Sequence, residues 1–301
     1  MKAKWLSLAL ISMMVAVTLV STGCGWLVTT KDTGPLATRE YDLTGFSAVE
    51  IGSGARVDIT RADTYSVKIT AREALFKDTR VTVSGSTLRI SLNWPSVVFG
   101  GRALEAHITM PELTGLDISG ATKASVAGFS SSNRLTAEVS GASSLDLDAV
   151  TGDFTADISG ASQVTARVKT GRADIELSGA STLRLEAETG AFALESSGAS
   201  DTAGRLNATG AALHLTGASE LQLSGSGGNL RLAESGASEA RLAGFTLNDV
   251  DVDLSGASHA DVDVDGTLNV TLSGGSVLRY GGHPTLGSRM DITGGSRLEP
   301  R

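Results

Sequence analysis

The sequence predicts an all-β fold: a right-handed parallel β-solenoid (β-helix) of ~19-residue coils, with an irregular N-terminal β region capping the stack. Three observations carry this. The motif Ser178-Gly179-Ala180-Ser181 is one of ten near-copies, with glycines at Gly120, Gly141, Gly160, Gly179, Gly198, Gly217, Gly236, Gly256, Gly274 and Gly294. The steps between them are 21, 19, 19, 19, 19, 19, 20, 18 and 20 residues, a period that marks a stacked repeat. Apolar residues alternate on both sides of each glycine, as in short strands with one buried face.

The chain opens on a targeting segment. Lys2 and Lys4 precede an apolar run from Leu6 to Val20, and Ser21-Thr22-Gly23 lead to Cys24, the sole cysteine. The run is too short to span a membrane comfortably and is followed at once by polar sequence, so residues 1–23 are expected to be a secretory signal. The segment resembles a bacterial lipoprotein signal. That resemblance implies a lipid on Cys24 and an exported, membrane-anchored lipoprotein of the cell envelope, at the outer membrane or cell surface. Residues 24–37, with Thr29, Thr30, Gly34 and Pro35, are expected to be a tether. Loss of residues 1–23 leaves 23 of the 25 basic residues against 33 acidic ones, so net charge moves from −8 to −10. That sign opposes nucleic-acid phosphates and anionic lipid, which leaves the lipid as the membrane contact and excludes a nucleic-acid partner.

Residues 38–115 form the irregular β region. Alternating runs occur at Val57–Thr60, Ser66–Thr70, Arg80–Val83, Leu88–Leu92 and Ala106–Met110, with two looser copies of the turn, Gly52-Ser53-Gly54-Ala55 and Ser84-Gly85-Ser86-Thr87. The region is expected to supply the first coils and to cover an edge that would otherwise invite aggregation.

Residues 116–301 are the regular coils. Two places before the glycines stand Ile118, Val139, Ile158, Leu177, Leu215, Leu254, Leu272 and Ile292, with Ser196 and Glu234 as exceptions. Leu145, Val164, Leu183 and Leu221 recur four places after. Glycine supplies the sharp turn, and the alanine that follows, such as Ala180, is expected to fill a narrow inner corner while Thr182 faces out. A second corner, written Thr151-Gly152, Thr170-Gly171, Thr189-Gly190 and Thr209-Gly210, is expected to close each circuit. At ~4.8 Å per coil the stack makes a rod of about 45–50 Å. Arg297, Glu299, Pro300 and Arg301 are expected to blunt its last strand.

Here the chain resembles the head GIN domain family of auto-transporter adhesins. The resemblance rests on residues 39–49 (Arg39-Glu40-Tyr41-Asp42-Leu43-Thr44-Gly45-Phe46-Ser47-Ala48-Val49), then Val57-Asp58-Ile59-Thr60 and Ile108-Thr109-Met110-Pro111-Glu112-Leu113. It runs on into Leu116-Asp117-Ile118-Ser119-Gly120-Ala121. It implies a surface-facing β-helical domain and brings no catalytic residues.

Candidate binding residues are acidic. Asp117, Glu138, Asp157, Glu176 and Glu195 lie three places before the glycine in five successive coils, so they should stack outward. Such a column serves as a solvated face or as a weak site for calcium. Asp249, Asp251, Asp253, Asp261, Asp263 and Asp265 are the densest acidic stretch. Asp261-Val262-Asp263-Val264-Asp265-Gly266 imitates the start of an EF-hand loop, but Leu272 stands where the bidentate glutamate belongs and the valines demand a strand. Glu234 falls at an inward position and is expected to escape through a bulge or at a strand end. His107, His214, His259 and His283 lack metal-ligand spacing. The loop from Trp94 to Gly101 packs over the solenoid end or offers an apolar patch.

These features point to a non-catalytic, surface-displayed lipoprotein whose repetitive face serves adhesion or envelope scaffolding, with a protein or glycan as ligand. The competing readings are a polysaccharide-active β-helix enzyme and an envelope-stress or signalling adaptor. Short uniform coils without cleft-forming loops, and 4% aromatic residues for stacking on sugars, argue against the enzyme.

Overall fold

Every repeat glycine sits in the left-handed region. The computed structural model describes residues 34–93 and 104–301, and in it the ten corner glycines have φ between 66° and 82°. At Gly179 two demands coincide. Its φ of +74° strains any L side chain, and a Cβ would lie 2.4 Å from the carbonyl oxygen of Gly160 one coil earlier. The approach is close because the Ala180 N–H donates to that oxygen at 2.8 Å, and the Ala199 N–H donates to Gly179 O at 2.8 Å. The coil-to-coil ladder therefore runs through the corner without a gap.

The alanine expected inside the corner lies outside. Ala161, Ala180 and Ala199 are exposed, whereas Ser162, Ser181 and Ser200 are buried. The reason is a hydrogen bond. The Ser181 hydroxyl donates to Ser178 O at 2.8 Å and closes its own turn, which alanine has no donor to do. Ser162, Ser200, Ser219, Ser238 and Ser258 repeat the bond at 2.6–2.8 Å. A polar residue is tolerated in the core because its one donor is used locally.

The strands follow from these corners. The N-terminal part contains β1 (Leu36–Tyr41), β2 (Ala48–Ile51), β3 (Arg56–Arg61), β4 (Ser66–Arg72), a 3₁₀ turn (Glu73–Lys77), β5 (Thr79–Ser84), β6 (Thr87–Leu92) and β7 (Leu104–Met110). The coils continue with β8 (Gly115–Ile118), β9 (Lys123–Ser130), β10 (Leu135–Val139), β11 (Ser144–Val150) and β12 (Asp153–Ile158). Five long strands follow: β13 (Gln163–Leu177), β14 (Thr182–Ser196), β15 (Asp201–Leu215), β16 (Glu220–Glu234) and β17 (Glu239–Leu254). The stack closes with β18 (His259–Val264), β19 (Thr267–Leu272), β20 (Val277–Gly282), β21 (Thr285–Ile292) and β22 (Arg297–Pro300). The result is a β-solenoid of about ten turns.

Residues after each glycine corner stack parallel as wall A, and residues before it stack parallel as wall B. The second corner is a bend inside β13, β14 and β15, where a separate sharp turn was expected. At Thr170-Gly171 the parallel register resumes within two residues, and Gly171 N–H still donates to Gly152 O at 2.7 Å. The buried Thr170 hydroxyl reaches Arg172 O at 2.9 Å and holds the bend from inside.

The N-terminal end is closed by antiparallel strands. β2 and β3 make a true first coil around Gly54, lying between β6 and β7 on one side and β8 and β9 on the other. Beyond them β4 pairs antiparallel with β7, β1 with β4, and β5 with β6. Ser84-Gly85-Ser86-Thr87 is accordingly a hairpin turn joining β5 to β6 rather than a solenoid corner. Leu75 and Phe76 of the 3₁₀ turn are buried, and the Arg39 guanidinium lies 4.2 Å from the centre of the Phe76 ring. β1 begins at Leu36, just inside the segment expected to be tether.

Glu234 does not escape the core. It stands in the inward row between Leu215 and Leu254, is 3% exposed, and neither carboxylate oxygen has a hydrogen-bond partner. A lone charge there is prohibitively costly, so the group stays protonated. Burial, with the Glu239 charge adding, raises its pKa to about 9.

Candidate functional site

Wall B carries the predicted acidic column. Asp117, Glu138, Asp157, Glu176 and Glu195 lie side by side in adjacent strands, all outward, and Glu50 of β2 extends the row below Asp117. Arg89 caps one end through a 3.1 Å bond to Glu50, and His214 follows Glu195 at the other. The Asp117 carboxyl is pushed above its ordinary pKa by burial first, then by the Glu50 and Glu138 charges. Among the described residues no three of these side chains are placed to hold a metal ion.

The two aspartate triplets part company. Asp249, Asp251 and Asp253 face out from wall B, while Asp261 and Asp263 lie on wall A and Asp265 stands in the turn that follows β18. Most are already engaged. Asp249 accepts from the Thr267 N–H at 2.9 Å and Asp251 pairs with Arg289 at 3.2 Å. Arg301 reaches Asp261 at 3.4 Å and Asp263 at 3.5 Å. The valines of the EF-hand-like stretch, Val262 and Val264, are fully buried strand residues. Cys24 and the loop from Trp94 to Gly101 lie outside the described residues. The histidines stay apart, and His107 contacts Asp58 at 3.3 Å.

Between the acidic column and the Asp249–Asp253 row lies a feature that the motif search missed. Two successive coils of wall B present only small outward residues near the bend: Ala191 and Ala193 of β14, and Gly210 and Ala212 of β15. Neighbouring coils carry longer side chains at those positions, Arg172 and Asp174 on one side and Asn229 and Arg231 on the other. An open trough results. It comprises adjoining depressions of about 560 and 390 Å³ that share Ala193, Ala212, Arg231 and Asp251. The Arg172–Asp174 pair, at 2.7 Å, forms one bank. On the other bank Arg231 is exposed and makes no ion pair among the described residues. The sequence signal was available: two consecutive repeats with nothing larger than alanine seven and five places before the glycine.

Wall A differs in electrostatics. Its charges pair with each other within and between coils: Arg167–Asp146 at 2.8 Å, Lys169–Glu188 at 2.8 Å, Arg184–Asp201 at 3.0 Å and Arg241–Glu239 at 2.6 Å. These exposed pairs contribute little stability, but they neutralise the wall and leave wall B with the unbalanced charge.

Two solved structures share this architecture. A putative adhesin from Parabacteroides distasonis is 14% identical and superposes with a TM-score of 0.50 over 89% of this chain and 98% of its own. A putative adhesin from Bacteroides fragilis is 16% identical, with a TM-score of 0.50 over 89% and 97% of the two chains. At these identities the likeness concerns the fold. Among curated proteins, none matches the sequence. The family model described as putative auto-transporter adhesin, head GIN domain, matches residues 45–189 and 175–284, and the chain belongs to that family.

Proposed function

We propose that this chain is a non-catalytic binding rod of the cell envelope, anchored through a lipid on Cys24 and presenting wall B to a protein or glycan on a neighbouring surface. The observation that carries the reading is the trough over Ala191, Ala193, Gly210 and Ala212, beside an unpaired Arg231 and at the end of a carboxylate column. An open, shallow concavity on a repetitive face suits several weak contacts made at once. Hydrolysis instead needs an acid and a base converging on one bond. Along wall B the carboxylates of the column from Asp117 to Glu195 are spread in a row along the stack, on an open surface. The family's adhesin description supports the same reading.

Filling the trough tests it. Ala193→Trp and Ala212→Trp place bulk on an outer surface, where the fold tolerates it, and Thr165→Trp on wall A is the control. Retention on arrays of immobilised envelope glycans and proteins should fall about tenfold for the trough variants alone, a loss of about 1.4 kcal/mol. Equal retention by all three sinks the proposal. The anchor is tested by fractionating cells that carry Cys24→Ser, and undiminished membrane association rejects it.

A further inference from the structure

The coil that turns at Gly198 is built unlike the coils on either side of it. Three of its inward positions are leucine in both neighbours and something else here. Ser196 stands between Leu177 and Leu215, Thr202 between Leu183 and Leu221, and Gly204 between Leu185 and Leu223. Ser196 and Thr202 are 2% and 0% exposed, and neither hydroxyl has a hydrogen-bond partner among the described residues. A buried hydroxyl without a partner is unfavourable, and the missing leucines take apolar contact away from the adjoining coils. Phe192, Leu194 and Leu206 still fill the rest of this coil, so the deficit is confined to the half beside the glycine corner.

The junction between this coil and the next, which turns at Gly217, is also sparsely tied from outside. Ion pairs link the coils of Gly141 and Gly160 (Asp146–Arg167), Gly160 and Gly179 (Lys169–Glu188), Gly179 and Gly198 (Arg184–Asp201), and Gly217 and Gly236 (Glu220–Arg241). Among the described residues none links Gly198 to Gly217. Each such pair is a small term, but the junction that lacks one is the junction with the depleted core. On wall B it runs along the floor of the trough, where Ala191 and Ala193 face Gly210 and Ala212 and no side chain is long enough to bridge. On wall A the side-chain ties are two hydrogen bonds at 3.3 Å, from the Ser224 hydroxyl to Gly204 O and from the Ser226 hydroxyl to Asn207 Oδ1. The backbone ladder lapses as well. Pairing of β15 with β16 stops at Asn207 and Ser226 and resumes at Gly210 and Asn229, a gap of two residues where β13–β14 and β14–β15 skip one.

In a stack whose coils touch only their neighbours, stability is a sum of coil and junction terms, and local opening starts at the weakest junction. We infer that the junction between the coils of Gly198 and Gly217 is a joint, at which the stack opens locally while the coils on either side stay folded. Opening there parts Ala193 from Ala212 and changes the width of the trough. Such a joint depends on the core and on the sparse ties across it, and exists whether or not the trough takes a ligand.

Amide hydrogen exchange of the full chain carrying Cys24→Ser, read residue by residue by NMR, tests this. The N–H groups of Thr216, Ala218 and Glu220 donate across the joint to Ser196, Gly198 and Ser200 at 2.8–2.9 Å. Those of Ser178, Ala180 and Thr182 donate to Ile158, Gly160 and Ser162 over the same range of lengths and serve as the matched set. The joint set should exchange about tenfold faster or more. Ser196→Ala with Thr202→Val removes both hydroxyls without adding bulk, so the fold is retained. It should slow the joint set about fivefold or more and leave the matched set within about twofold. Equal exchange in the two sets of the parent overturns the joint. A faster joint set that the double variant does not slow overturns its origin in the core, and a variant that slows both sets alike reports global stability and overturns it too.

Discussion

At the Ser-Gly-Ala-Ser corner, Gly179 has φ +74° and a Cβ there would meet Gly160 O at 2.4 Å. At the Thr-Gly bend, Gly190 lies outside the left-handed region and its Cβ would meet Gly171 O at 2.7 Å, while at Gly210 the nearest atom is 3.7 Å away. The first corner requires glycine for conformation and for space. The second requires it for space alone, and only in some coils. That difference explains why the first motif recurs ten times with little variation while the second is legible in only four coils.

Alanine substitutions grade the contrast. Gly179→Ala should cost most, about 3 kcal/mol, by adding left-handed strain to a backbone overlap that forces coils apart. Urea unfolding measures it, and a loss below about 1 kcal/mol would mean that the corner has room to relax.

Next to a glycine corner stands Glu234, whose pKa of about 9 lies far above its ordinary 4.5. Folded protein holds this proton up to about pH 9, whereas unfolded chain releases it above 4.5. Stability is therefore undiminished below pH 4.5 on this account and drains away as pH rises toward 9. At pH 7 the linkage amounts to about 3 kcal/mol. Glu234→Leu, matching Leu215 and Leu254, should recover most of that at pH 7 and little at pH 4. Parallel stability curves for the two proteins across this range would refute a buried, protonated Glu234.

Gly190→Ala should cost about 1–2 kcal/mol, since a Cβ must displace a carbonyl but the backbone angles are ordinary. Gly210→Ala should be the mildest, raising stability by about 0.5 kcal/mol through lower freedom of the unfolded chain. Thermal melts rank the pair, and the reverse order would erase the distinction between the two bends.

The inward rows were legible because period two survives across the corner: Leu177 and Ser181 both face in. What misled was size. A small alanine looked right for a narrow inner corner, yet the buried position needed a donor for Ser178 O, a requirement visible only when the carbonyl's direction is known. Glu234 was placed inward by register and doubted on charge, and protonation reconciles the two. The acidic column followed directly from spacing. The trough did not, because it arises from two absences of bulk, and a motif search looks for residues present. The split of the aspartates onto opposite walls follows from the Gly256 corner that lies between the two triplets, a division already present in the repeat spacing.

Because six of the buried corner serines satisfy their own turns, and the ladder that joins neighbouring corners is chiefly backbone, one coil asks little of the next beyond its outline. A gene encoding such a chain can gain or lose a whole coil in a single recombination between near-identical repeats. Either event moves the capped end by about 4.8 Å relative to the far end and leaves both ends unchanged. Reach becomes a quantity that heredity adjusts in steps, and variants that differ by complete coils should be the ones that survive.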